Sequence, residues 1–114
     1  MKLDTLVAID THVHIEPDPT GNAAEEAARK YFGNTGVSYG RKELAEYYRS
    51  RNIGCVVFSV DERLTGRPQV SNDDVAAFAA ENSDIAMAFA SVDPMRGPDA
   101  VKEARRLIAS GGIR

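Results

Sequence analysis

Ile53-Gly54-Cys55-Val56-Val57-Phe58-Ser59-Val60 is apolar almost without a break. A strand with one face in water alternates apolar and polar residues. An unbroken run of this length belongs to a strand covered on both faces, as in a parallel sheet under helices. A second such run, Ile85-Ala86-Met87-Ala88-Phe89-Ala90-Ser91-Val92, follows it. The two close alike, on Ser59-Val60-Asp61 and Ser91-Val92-Asp93, about one βα unit apart.

The segments around these runs carry helical patterns. Asn22–Phe32 has a capping asparagine, the pairs Glu25–Arg29 and Glu26–Lys30, and Gly33 as a stop. Arg41–Arg51 places Leu44, Tyr47 and Tyr48 on one face. Ser71–Ser83 opens with Ser71 and Asp74 in capping-box spacing and buries Val75, Phe78 and Ala79. Pro98–Ser110 starts on a proline and shows a stripe of Val101, Ala104, Leu107 and Ile108. Strands alternating with helices predict right-handed βαβ units, an α/β fold with parallel strands and flanking helices.

The first strand is predicted over Leu6–Asp10 and runs on into Thr11-His12-Val13-His14. Strict alternation puts Leu6, Ala8, Asp10, His12 and His14 on one face. Val7, Ile9, Thr11, Val13 and Ile15, all β-branched, fall on the other, which suits packing under helices. Residues two apart on a strand have Cα atoms roughly 6.5–7 Å apart and side chains on the same side. Two imidazoles so placed can tilt onto one divalent ion at about 2.0–2.1 Å. In parallel α/β folds the C-terminal strand ends are where sites are built. His12 and His14 are therefore candidate metal ligands, the plain alternative being strand-end histidines bonded to water or backbone. Asp10 either orients a histidine from behind or bonds the neighbouring backbone.

Composition narrows the rest. At 114 residues the chain is one domain, residues 1–114, and a hydrophobic content of 43% suffices for a core. A net charge of −3 speaks against a nucleic-acid or anionic-membrane partner. A single cysteine, Cys55, permits no disulfide framework and reads as a buried core residue. The N-terminal apolar run is too short for a signal peptide or membrane span, so a cytoplasmic location is expected. The link from His14 to Ile53 is long and contains Pro17, Pro19, Gly21, Gly33, Gly36 and Gly40. This excursion, residues 15–52, either lies over the site or is a surface insertion. Glu16 and Asp18 are nearby carboxylates. Asp61, Glu62 and Arg63 follow the second strand, where Arg63 is a candidate to grip a substrate carboxylate or else part of a solvated turn.

Asp10-Thr11-His12-Val13-His14, closing an N-terminal apolar strand, resembles the opening of the amidohydrolase superfamily. Phe89-Ala90-Ser91-Val92-Asp93-Pro94 and the run from Ala104 to Gly112 toward Ile113-Arg114 resemble later units of one branch. That branch holds aminocarboxymuconate semialdehyde decarboxylase and related TIM-barrel metal-dependent hydrolases. The resemblance implies a (β/α)8 barrel with one or two divalent metals at its C-terminal face, His12 and His14 as ligands, and a small-molecule substrate. Zn2+ is the expected metal by ligand type, with Mn2+ or Fe2+ as alternatives. The expected activity is metal-dependent hydrolysis. The alternatives are non-oxidative decarboxylation on the same fold, a TatD-like metal nuclease, or a non-catalytic fragment. The family also draws histidines from later strands and a late aspartate, whereas this chain has no histidine after His14. The chain is thus expected to be the first three βα units of a barrel, homo-oligomeric when complete. By itself it is expected to be inactive and prone to association.

Overall fold

The structure, a computed structural model, describes residues 1–17, 40–60 and 70–113. The helix expected over Asn22–Phe32, most of the 15–52 excursion, Asp18, Asp61, Glu62 and Arg63 lie outside the described residues. Three strands form one parallel sheet in the order β1 (Ala8–His14), β2 (Ile53–Phe58), β3 (Ala86–Ala88). Helices α1 (Arg41–Arg49), α2 (Asn72–Glu81) and α3 (Pro98–Ala109) alternate with them. Short 3-10 turns occupy Leu3–Thr5 and Pro94–Arg96. The fold class is α/β with parallel strands and flanking helices, as the apolar runs predict. No helix among the described residues is long and apolar enough to cross a membrane.

β2 is the central strand, and Gly54, Cys55, Val56 and Val57 are all buried along it. In-register partners share a face of the sheet. Cys55 pairs with Ala86 and Val57 with Ala88, so these four line one side. That side meets Ala45 and Tyr48 of α1, Val75, Phe78 and Ala79 of α2, and Leu107 of α3 in a single core. The opposite face carries Ile9, Gly54, Val56, Phe58, Met87 and His14 by the same pairing rule. At the N-terminal end of this second face Gly54 leaves room for the tails of Leu6 and Met1. A Cβ on Gly54 would lie 2.8 Å from Leu6 Cδ1.

β3 is shorter than the apolar run Ile85–Val92 suggests. The Phe89 N–H still donates to the Val57 carbonyl at 2.9 Å. Beyond that point Asn72, at the start of α2, replaces the ladder. It accepts from the Ser91 N–H at 2.9 Å and donates to the Ser91 carbonyl at 2.8 Å. The Ser91 hydroxyl donates to the Ser59 carbonyl, which ties together the two matching strand ends.

The helices begin where capping chemistry places them. The Ser71 hydroxyl oxygen accepts from the Asp74 N–H at 3.1 Å and its O–H donates to the Asp74 carboxylate at 2.7 Å. Val75, Phe78 and Ala79 are buried, as expected. Two helix faces differ from expectation. In α1 the buried residues are Ala45 and Tyr48, with Leu44 packed beside them, while Tyr47 faces outward under the Arg51 guanidinium at 3.8 Å. At about 100° per residue Tyr47 falls well off the direction shared by Leu44, Ala45 and Tyr48. In α3 the buried line is Ala100 and Leu107. Val101 and Ile108 lie about a quarter-turn away and are 50% and 63% exposed.

Candidate metal site at the end of the first strand

β1 contains an irregularity that decides where its polar residues point. Asp10 pairs with Cys55, but Val13 pairs with Val57. Three steps along β1 therefore match two along β2, which is a bulge at Thr11–His12. Asp10 and Val13 consequently share the helix-covered face, although an unbroken alternation would separate them. The expected grouping of Asp10 with His12 and His14 is corrected accordingly. Asp10 stays on the covered side and the two histidines lie on the opposite side. The physical reason is burial. Val13 and Ile15 are 6% and 2% exposed beneath the helices. Covering each contributes about 1.5–3 kcal/mol. A ladder hydrogen bond disturbed by the bulge costs only about 0.5–1.5 kcal/mol. Apolar burial wins, and the strand shifts phase.

The bulge frees the His12 N–H from the ladder, and the Asp10 carboxylate takes it up. The His12 N–H donates to Asp10 Oδ1 at 3.0 Å. The other carboxylate oxygen, Oδ2, accepts from the Tyr48 hydroxyl at 2.8 Å. Both bonds favour the ionised carboxylate. The His12 N–H first, and the Tyr48 hydroxyl second, hold Asp10 below its ordinary value. Burial first, and the adjacent Asp10 second, push the Tyr48 hydroxyl up. The tyrosine is therefore the donor and the aspartate the acceptor at neutral pH. Asp10 thus reaches His12 through the backbone.

On that opposite face the two imidazoles stand together. His12 Nε2 and His14 Nε2 are 3.1 Å apart. Their rings stack with centroids 5.0 Å apart and an interplanar angle of 21°. Phe58, the in-register partner of His14, meets both edge-on, at 5.1 Å from His12 and 4.9 Å from His14. Both histidines are exposed. Without an ion, one Nε2–H donates to the lone pair of the other. Two nitrogens 3.1 Å apart, each about 2.05 Å from one ion, subtend an angle of about 98°. That lies between octahedral and tetrahedral, so the pair fits a divalent cation as a two-point chelate. The described residues contain no cluster of three or more His, Cys, Asp or Glu able to hold a metal. Glu16 is exposed. The pair supplies part of a coordination shell and needs further ligands from elsewhere.

The remaining candidates separate from this site. Cys55 is fully buried and unpaired, as expected, and burial pushes its thiol up to about 11. Asp93 accepts from the Met95 N–H at 2.8 Å and starts the turn after β3. Tyr48 and Phe58 escaped the reading of the sequence. The signal for Tyr48 was its place on the apolar face of α1, since a buried tyrosine hydroxyl requires a partner. Asp10 is the polar group of β1 that lies within its reach. Compared with protein-family models, curated proteins and solved structures, the chain matches none.

Proposed function

We propose that His12 and His14 supply two ligands to a catalytic divalent cation in a metal-dependent hydrolase acting on a small-molecule substrate. We further propose that the three βα units are the opening of an amidohydrolase-type (β/α)8 barrel. The observation that carries the reading is the 3.1 Å approach of the two Nε2 atoms on the face of the sheet opposite the described core helices. Three further features support it. The strands are parallel and follow sequence order. The core-forming helices pack on the opposite face, as they do outside a barrel. Leu6 and Met1 fill the N-terminal end of the inner face, while the histidines sit at the C-terminal end.

When bound, the cation lowers the pKa of a coordinated water and polarises the substrate carbonyl. The work of the protein is to present two neutral imidazoles at fixed separation. Both rings would hold such an ion as the Nδ1–H tautomer, the hydrogen of the donor ring passing from Nε2 to Nδ1 by exchange with water, so that each stays neutral with its Nε2 lone pair facing one point. The Phe58 ring backs both imidazoles and limits their rotation. Histidine nitrogen favours Zn2+ over harder cations. Arg63, which follows β2 in the sequence, is proposed to contact a substrate carboxylate.

Calorimetric titration with Zn2+ tests this reading. The full chain is expected to bind the ion, and His12→Ala and His14→Ala are each expected to weaken binding at least about tenfold. Glu16→Gln is expected to leave it unchanged. Equal affinity in the wild type and both histidine variants would refute the proposal. With metal-loaded protein, release of acid from ester or amide substrates marks a hydrolase, whereas CO2 release from carboxylated substrates points to a lyase.

A further inference from the structure

A regular strand would place His12 on the same face as Asp10. The bulge at Thr11–His12 separates them and leaves His12, with His14 and Phe58, on the face opposite Asp10. One carboxylate is bound to that bulge from two sides. Asp10 Oδ1 accepts the His12 N–H at 3.0 Å, and Oδ2 accepts the Tyr48 hydroxyl at 2.8 Å. Tyr48 belongs to α1, is buried, and forms part of the core that packs against the covered face of the sheet. The backbone at His12 is therefore tied through a side chain to a helix on the far side of the sheet from the imidazole. We propose that Tyr48, acting through Asp10, is a positioning residue for the His12–His14 pair, a role that rests on the ligand reading above.

Tyr48 touches neither imidazole. Its ring packs in the core, and its hydroxyl fixes the carboxylate that receives the His12 N–H. Small changes in the backbone at a bulge swing the side chain it carries, and two-point chelation depends on a separation of a few ångströms. Loss of the hydroxyl frees Asp10 to turn, and the N–H of His12 then exchanges between the carboxylate and water. The imidazole of His12 loses its fixed distance from that of His14.

Tyr48→Phe tests this, because it removes the hydroxyl and keeps the ring. In the full chain the variant is expected to bind Co2+ about tenfold more weakly and to change the visible absorption bands of the bound ion. In metal-free protein the His12 amide is expected to exchange with deuterium about tenfold faster. The Cys55 and Ile15 amides, held in the ladder, are expected to keep their wild-type rates. Asp10→Ala is expected to reproduce both effects, and the double variant to be no worse than Asp10→Ala alone. A Tyr48→Phe protein with lowered thermal stability but wild-type Co2+ affinity and His12 exchange would overturn the positioning role. Failure of the wild type to bind Co2+ would overturn the ligand reading. The metal-free exchange rates would then still decide whether Tyr48 holds His12.

Discussion

Along β2 the residues Gly54, Cys55, Val56 and Val57 are buried in succession, whereas along β1, its hydrogen-bonded neighbour, only Val13 is. Both strands pair in parallel and both end at the same side of the sheet. β2 is apolar, regular and central, and its side chains hold the helices to the sheet. β1 is polar at its C-terminal end and broken by a bulge, and its ring-bearing side chains face away from the helices. Regular pairing gives β2 its burial. The interruption gives β1 what one uninterrupted strand cannot provide: Asp10 on the same covered face as Val13 and Ile15, with the histidine pair on the opposite face.

The largest effect expected from this contrast is at Val57, which is fully buried. Val57→Asp places an unpaired carboxylate in the core and is expected to cost more than about 4 kcal/mol, enough to abolish cooperative unfolding in urea. His12→Ala, at an exposed position of β1, is expected to change stability by no more than about 0.5 kcal/mol. A folded Val57→Asp protein, or a His12→Ala protein that unfolds, would break the division between the strands.

A smaller effect sharpens the reading of the face opposite the core helices. At Gly54 an added Cβ would meet Leu6 Cδ1 at 2.8 Å and Met1 Sδ at 3.0 Å, both near the ends of flexible side chains. Gly54→Ala is therefore expected to cost about 1–2 kcal/mol. Leu6→Ala in the same chain should recover part of that loss. Strict additivity of the two substitutions in chemical denaturation would show that Leu6 does not fill the space Gly54 leaves.

The smallest effect concerns an ion pair away from both strands. Arg49, in the last turn of α1, binds Asp84 at 2.8 Å and holds its carboxyl at about 2, below its ordinary value. A carboxylate with a lowered folded-state pKa stabilises the fold above about pH 4, and that contribution fades as pH falls toward 2. The two side chains are 44% and 35% exposed, so solvent screening limits the contribution to about 1 kcal/mol at most. Asp84→Asn is expected to flatten the pH dependence of the thermal midpoint between pH 4 and 2. An unchanged slope would mean that the pair does not stabilise the fold.

The regular parts of this architecture are written openly in the chain. The run from Ile53 to Val60 reads as a doubly covered strand because nothing in it is polar before Ser59. The Ser71–Asp74 spacing reads as a helix start because only a few side chains can cap. The mutual placement of His12 and His14 is also legible, since the two stay side by side at their two-residue spacing although the bulge includes His12. The position of Asp10 is not legible. A bulge leaves no mark in a hydrophobic pattern, and it arises from the burial of Val13 and Ile15, which depends on the tertiary packing of helices distant in sequence. The outward turn of Tyr47 and of Val101 has a similar origin. Several apolar residues on a helix offer more than one stripe, and contact with the sheet selects among them.

X-ray absorption at the zinc edge tests two-point ligation by His12 and His14 most directly. Zinc-loaded wild-type protein is expected to show nitrogen neighbours at about 2.0–2.1 Å, with the outer-shell scattering of two imidazoles per ion. His12→Ala and His14→Ala are each expected to remove the contribution of one ring. A zinc shell without imidazole scattering, or one unaltered by both substitutions, would contradict the assignment of the pair as metal ligands.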